Sequence, residues 1–290
     1  MDDVDTLSVP VRSSVLGDDV DLEVRRWVGP GRHRFLLVHG LASNARLWDE
    51  VAAALAAAGH SAYAVDLRSH GESNAPPGGY DSATAAADLA AVVGELGIAP
   101  AVVAGQSWGG NVVVRYAAEQ PAQVAALALV DGGWIDLAAE FASWQECAAA
   151  LRPPDLSGLH VDDLRQGIRD RHPDWSGSAI DATVANLRVD EAGRVSRRLS
   201  LERHMAIVRS MWDDPPARYY GALTMPTLLM PALPTASARA AAIRARVTAA
   251  AAAMPRAMIS EYAGADHDVH AHRPHEVAKD LLRLADEAAR

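Results

Sequence analysis

Short apolar runs recur along the chain, each closed by turn residues and most of them followed by a stretch of helical spacing. RFLLVHG reads as a buried strand ending at Gly40, and ARLWDEVAAALAAAG as a helix capped by Asn44 and closed at Gly59. HSAYAVDL is strand-like, SHGESNAPPGGY is a loop dense in Gly and Pro, and DSATAAADLAAVVGELG is helical. PAVVAGQ, WGGNVVVRYAAEQ and QVAALALVDGG then repeat strand, helix and strand, the helix stopping before Pro121. Ahead of this series, residues 14–28 (SVLGDDVDLEVRRWV) predict a hairpin, with Gly17, Asp18 and Asp19 in the turn and Val20, Leu22 and Val24 alternating with acidic residues.

The rhythm breaks after Gly133. Residues 134–220 contain no apolar β-run; they hold helical patterns interrupted by RPPD, RHPDWSG and WDDPP, together with Trp134, Trp144, Trp175 and Trp212. Sheet patterning resumes at MPTLLMPAL and continues through an Ala-rich helix at 236–253, the strand RAMISEYAG and a last helix, PHEVAKDLLRLADEAAR. Strands separated by single helices predict an α/β fold: a mostly parallel central sheet with helices on both faces and the leading hairpin at one edge. The predicted division is a core of residues 1–133 and 221–290 with a helical cap or lid inserted at 134–220.

Composition narrows the function. Half of the 290 residues are hydrophobic and the formal charge is −10, with a sequence pI near 5.5. An acidic chain with scattered arginines is a poor nucleic-acid binder, so no nucleic-acid partner is expected. Arg239, Arg244, Arg246 and Arg256 are interleaved with Ala at helical spacing and read as a solvated helix face. The single cysteine, Cys147, excludes an intramolecular disulfide. The acidic opening MDDVDTLSVP lacks the apolar core of a signal peptide, and no run is long enough for a membrane span. The expectation is a cytoplasmic monomer or homodimer with no membrane partner.

One motif carries chemistry. VVAGQSWGGNVVV (102–114) sets Gly-x-Ser-x-Gly between an apolar strand and a helix. A Ser hydroxyl is a weak nucleophile, and it needs both a base and an exposed position. A sharp strand-to-helix turn exposes it, and Gly105 and Gly109 suit the crowding of such a turn. The helix that follows points N–H groups at the same spot. The plainer alternative is an ordinary βα turn.

HGLASNARLW (39–48), DLRSHGES (66–73), GQSWGG (105–110) and GADHDVHAHRP (264–274) together resemble the ordered motifs of the α/β-hydrolase superfamily, across nearly the whole chain. The break at 134–220 falls where that family inserts its cap. The resemblance implies Ser107 as nucleophile, with the main-chain N–H groups of Leu41 and Trp108 as an oxyanion hole. It implies His267 as the base, in the family's Gly-x-x-His slot, with His270 as the alternative. His272 and His275 are expected to be exposed, Asp266 and Asp268 to be ordinary loop residues, and the His cluster not to hold a metal. His39 and His70 are expected to brace their loops, while His204 is open between the pocket and the surface.

The acid departs from the family's habit. Its usual place follows the strand after the cap, yet no Asp or Glu occurs between Asp214 and Glu261. Either the triad is incomplete or Asp131, at the end of AALALVDGG, supplies the carboxylate. Asp131 resembles in position the acid of some haloalkane dehalogenases and fungal lactonases of this superfamily. A Ser at the elbow, where dehalogenases and epoxide hydrolases carry Asp, suits acyl transfer. The expected activity is hydrolysis of a medium-sized, fairly hydrophobic small-molecule ester or lactone without a cofactor. Trp134, Trp144, Met205, Met211 and Trp212 are candidate pocket residues. Thioester or C–C hydrolysis, cofactor-free perhydrolysis, and a non-catalytic binder with a relict triad are the alternatives.

Overall fold

A computed structural model describes residues 4–12, 15–235 and 238–290. Two antiparallel strands, β1 (Asp5–Arg12) and β2 (Asp19–Trp27), lead into β3 (Arg34–Val38), a 3₁₀ turn (Ala45–Trp48), α1 (Asp49–Ala57), β4 (Ser61–Val65), α2 (Ser82–Leu96), β5 (Ala101–Gln106), α3 (Trp108–Glu119) and β6 (Val124–Val130). The next segment holds α4 (Leu137–Glu140), α5 (Trp144–Ala150), α6 (Val161–Arg171), α7 (Gly177–Val184), the small strands β7 (Leu187–Val189) and β8 (Val195–Arg197), and α8 (Leu201–Asp213). The chain then completes the core with β9 (Thr227–Met230), β10 (Ala232–Leu233), α9 (Ala238–Ala252), β11 (Ala257–Ile259), β12 (Tyr262–Ala263), α10 (Val269–His272) and α11 (Pro274–Ala288).

The main sheet runs β1-β2-β4-β3-β5-β6-β9-β11. It is antiparallel at β1–β2 and β2–β4 and parallel from β4 onward. The first arm of the hairpin lies earlier than the pattern suggested, pairing Leu7 with Val24 and Val9 with Leu22. Ser14, the first residue of the expected hairpin, Ser13 beside it, and Ala236 and Ser237 at the start of the expected Ala-rich helix lie outside the described residues.

Burial explains why the central strands lack polar alternation. In β6, Leu127 and Leu129 pack into the cluster on the α2–α3 side, while Ala126, Ala128 and Val130 face α1 and α11. Both faces are covered, so every position is apolar, as parallel sheets require. The smaller residues on one face leave room for α11 to lie close. Helix ends follow the local chemistry: Asp81 accepts from the Thr84 N–H at the start of α2, and Gly97 ends that helix in the left-handed region at φ 60°. Among the described residues no helix is long and apolar enough to cross a membrane.

One buried ion cluster ties the hairpin, the loop after β4 and α2 together. Arg68 is buried, with Nε 2.5 Å from Asp88 and Nη1 2.8 Å from Asp18. Burial pushes the Asp88 carboxyl up against the pull of the Arg68 guanidinium, while the Arg68 hydrogen bond holds Asp18 below its usual range. Removing the guanidinium strands a buried carboxylate, so Arg68→Met is expected to cost about 3–5 kcal/mol of unfolding free energy by urea titration. Adding Asp88→Leu should recover part of that loss.

Candidate active site

β5 ends at Gln106 and α3 begins at Trp108, so Ser107 alone makes the turn, at φ 54° and ψ −123°. A non-glycine residue held there stores roughly 1–3 kcal/mol of strain. Its N–H donates to the Val130 carbonyl at 3.0 Å, and its carbonyl accepts from the Gly110 N–H at 2.9 Å. Gly105 and Gly109 do not relieve the strain, since neither has positive φ; they give the turn room. A Cβ on Gly105 would lie 2.4 Å from the Gly109 carbonyl oxygen, and one on Gly109 would lie 2.3 Å from that of His39. Gly132, after β6, is similarly required, because its Cβ would come 2.1 Å from the Ser107 carbonyl oxygen.

Across 136 positions of sequence, His267 Nδ1 donates to Asp131 Oδ2 at 2.6 Å. The second Asp131 oxygen accepts the Ala232 N–H at 3.0 Å. Nδ1 therefore carries a proton and Nε2 is left to exchange one. Burial opposes charge on His267, but the hydrogen bond and charge of Asp131, assisted by Asp268, outweigh it and raise the pKa above the ordinary value. His270, the other candidate base, is fully buried against Trp48 with ring centroids 4.3 Å apart, and burial pushes it down to about 3. The Gln106 side chain, adjacent to Ser107, donates to the His267 carbonyl at 3.2 Å and so joins the elbow to the histidine loop.

Ser107, Asp131, His267, Leu41 and Trp108 all line one cavity of about 620 Å³. Trp108 opens α3, where the first N–H groups lack intrahelical acceptors. The Leu41 N–H has no hydrogen-bond acceptor among the described residues. The loop bearing Leu41 is held by two buried histidines. His39 Nδ1 donates to the Gly40 carbonyl at 2.7 Å and Nε2 accepts from the Leu67 N–H at 3.0 Å. His70 Nδ1 donates to the Arg68 carbonyl at 2.9 Å and Nε2 accepts from the Ala42 N–H at 3.2 Å. Burial pushes His39 down to about 4 and His70 well below its ordinary value, which keeps both rings neutral in these roles.

Of the five residues singled out for the pocket, Trp134 and Met211 line it. Trp144, Met205 and Trp212 do not: Trp144 and Trp212 pack edge to face at 6.0 Å, and Met205 packs against the hydrophobic cluster. Helix-to-helix packing in the segment between β6 and β9 claims them instead. His204 does reach the cavity, with Nε2 3.2 Å from the Leu151 carbonyl. The α9 arginines are exposed, as expected, and Arg239 and Arg246 also line the cavity together with Ile243.

Asp266 and His272 also differ from expectation. Asp266 Oδ2 accepts from His172 Nδ1 at 2.8 Å and from Trp175 Nε1 at 3.0 Å, fastening the end of α6 to the histidine loop. The His272 side chain is 7% exposed and accepts the Asp266 N–H at 3.0 Å. His275 is exposed, as expected. On the opposite flank, Arg198 donates to the Gly71 carbonyl at 3.1 Å, and Arg203 donates to Ser69 at 3.2 Å while lying over the Tyr80 ring. These long-range polar anchors carry no local sequence signal.

Comparison with known proteins agrees with this architecture. Residues 33–192 match the family described as alpha/beta hydrolase fold. The lipase LipV of Mycobacterium tuberculosis is 40% identical over 113 residues, 39% of this chain and 42% of that protein. An esterase of the same organism is 39% identical over 107 residues, 37% of this chain and 35% of that protein. The chain therefore spans less than half the length of these curated relatives. The crystal structure of E-2-(acetamidomethylene)succinate hydrolase shares the fold, with a TM-score of 0.76, 23% identity, and coverage of 97% of this chain and 100% of that one. The family match takes in more than half of the chain, and the sheet order and the strand–Ser107–helix turn accord with it: this chain belongs to the α/β-hydrolase fold family.

Proposed function

We propose that the protein is a serine hydrolase that cleaves a carboxylic ester or lactone of a medium-sized, fairly hydrophobic small molecule through an acyl-enzyme. The observation that carries this reading is the 2.6 Å Asp131–His267 hydrogen bond opening onto the same cavity as Ser107. In this mechanism His267 Nε2 takes the Ser107 proton as Oγ attacks the carbonyl carbon. Asp131 holds the imidazole tautomer and stabilises the imidazolium that forms. The N–H groups of Leu41 and Trp108 receive the developing oxyanion. His267 then protonates the leaving alkoxide, and water, activated by the same imidazole, releases the acid.

Residues 134–220 act as a cap over this centre. It contributes Trp134, Leu137, Phe141, Leu151 and Met211 to the wall, with Glu140 and His204 as polar members, and the apolar share suits a largely hydrocarbon body. Names such as lipase and esterase among the relatives support ester chemistry.

Ser107→Ala is expected to abolish both hydrolysis of short-chain p-nitrophenyl esters and labelling by a fluorophosphonate, with the melting temperature preserved. Wild-type turnover in that variant would remove Ser107 from the mechanism. Asp131→Asn should lower kcat by about 10⁴, as loss of the orienting carboxylate does in Ser-His-Asp enzymes; near-normal kcat would return the acid to another group. The raised His267 pKa sets the sign of the pH dependence. The base must be neutral, so kcat/KM should rise with pH through a limb alkaline of the ordinary histidine value of about 6.5. Asp131→Asn should move that limb to lower pH, as a pH–rate profile on residual activity will read.

A further inference from the structure

The cavity wall contains charges that ester hydrolysis alone does not use. α9 presents Arg239, Ile243 and Arg246 to it at i, i+4 and i+7, one face of a helix. Two carboxylates share the wall, and both are engaged: Glu140 pairs with Arg246, and Asp131 is held by His267 and the Ala232 N–H. Arg239 has no hydrogen-bond or ion-pair partner among the described residues. Although the chain has 37 acidic residues, none of those described gives this arginine a counter-ion.

That arginine is not neutral toward the chemistry. Its charge acts on His267 in opposition to Asp131, disfavouring the imidazolium that attack by Ser107 generates. An anion bound to Arg239 offsets this minor opposition, while Asp131 keeps the imidazole pKa raised. The guanidinium fork matches a carboxylate with two parallel N–H···O bonds. The same cavity carries Leu137, Phe141 and Ile243, and its other lining charges, Glu140 with Arg246 and Asp131 with His267, are paired, so the complementary ligand is an apolar chain ending in a carboxylate.

We infer that Arg239 is the receptor for a free carboxylate on the substrate, and that the cavity takes half-esters of aliphatic dicarboxylic acids. This rests on the serine-hydrolase reading above and narrows its substrate class. The reaction stays balanced as ester hydrolysis: the acyl C–O bond breaks, water adds hydroxyl to the acyl carbon and a proton to the departing alkoxide, and the distal carboxylate is unchanged.

The test compares mono-p-nitrophenyl esters of adipic, pimelic and suberic acid with p-nitrophenyl hexanoate, heptanoate and octanoate, in which a methyl group replaces the distal carboxyl. Wild type and Arg239→Met are assayed on both series. For at least one chain length the wild type should prefer the half-ester by about tenfold in kcat/KM, mostly through KM, as a charge-assisted contact supplies. Arg239→Met should collapse the ratio of half-ester to neutral ester toward unity. Free adipate, pimelate or suberate should slow fluorophosphonate labelling of Ser107 in the wild type and not in Arg239→Met. Neutral esters turned over at least as well at every length, or a preference that survives Arg239→Met, would overturn the inference and leave the hydrolase intact. No turnover of either series together with no labelling of Ser107 would overturn the hydrolase reading and this inference with it.

Discussion

The turn at Ser107 bends the chain through a conformation that side-chain-bearing residues avoid, and the surrounding packing exists to hold it there. The Ser107 N–H is bonded to β6, its carbonyl is pressed against Gly132, and Gly109 rests on the carbonyl of His39. Neither glycine has room for a Cβ, so the ends of β3, β5 and β6, neighbours in the sheet, meet backbone to backbone. Ala42, Ser69, Ser107 and Asp131 are the non-glycine residues with positive φ among the described residues. They follow β3, β4, β5 and β6, the four adjacent strands at the centre of the sheet. Strain is thus gathered at the carboxyl edge of the parallel sheet, where ligands of open α/β sheets bind. The doubly covered sheet beneath supplies the burial that offsets it.

How much of this was legible depended on whether the signal was local. β5 and β6 announce themselves because both faces are covered and no polar residue interrupts them. The Ser107 turn announces itself because the close contacts force glycines at fixed offsets. β7 and β8 escaped because their residues are mostly half-exposed or exposed and too few to show a period. β10 and β12 are two residues each and exist only by pairing with one another.

The candidate site divides in the same way. Ser107, His267 and Asp131 stand in motifs bounded by glycine and could be singled out from sequence. The helix face carrying Arg239 and Arg246 could not, because alternation of Arg with Ala fixes a helix and says nothing about which side meets the cavity. Gln106 and Asp266 were likewise silent: their partners lie 161 and 91–94 positions away, and their roles come from bonds closed only when the loops meet. Trp144 and Trp212 erred in the opposite direction. Large aromatic residues in a helical insertion satisfy each other before they reach a ligand.

The placement of the proposed acid follows from the same crowding at the strand ends. β6 lies between β5 and β9, so a carboxylate at its end stands beside the nucleophile strand and one strand nearer to it than the position after β9. The chain after β9 carries no carboxylate, yet it still contributes, because the Ala232 N–H donates to Asp131 Oδ1. The main chain after β9 thus holds Asp131 Oδ1, leaving Oδ2 to accept from His267. Asp131 Oδ1 accepts from the backbone and Oδ2 from imidazole, and no ion pair joins Asp131 to Arg239 among the described residues. A single wall thus holds a histidine bonded to a carboxylate and, apart from that pair, a cation without a counter-ion among the described residues.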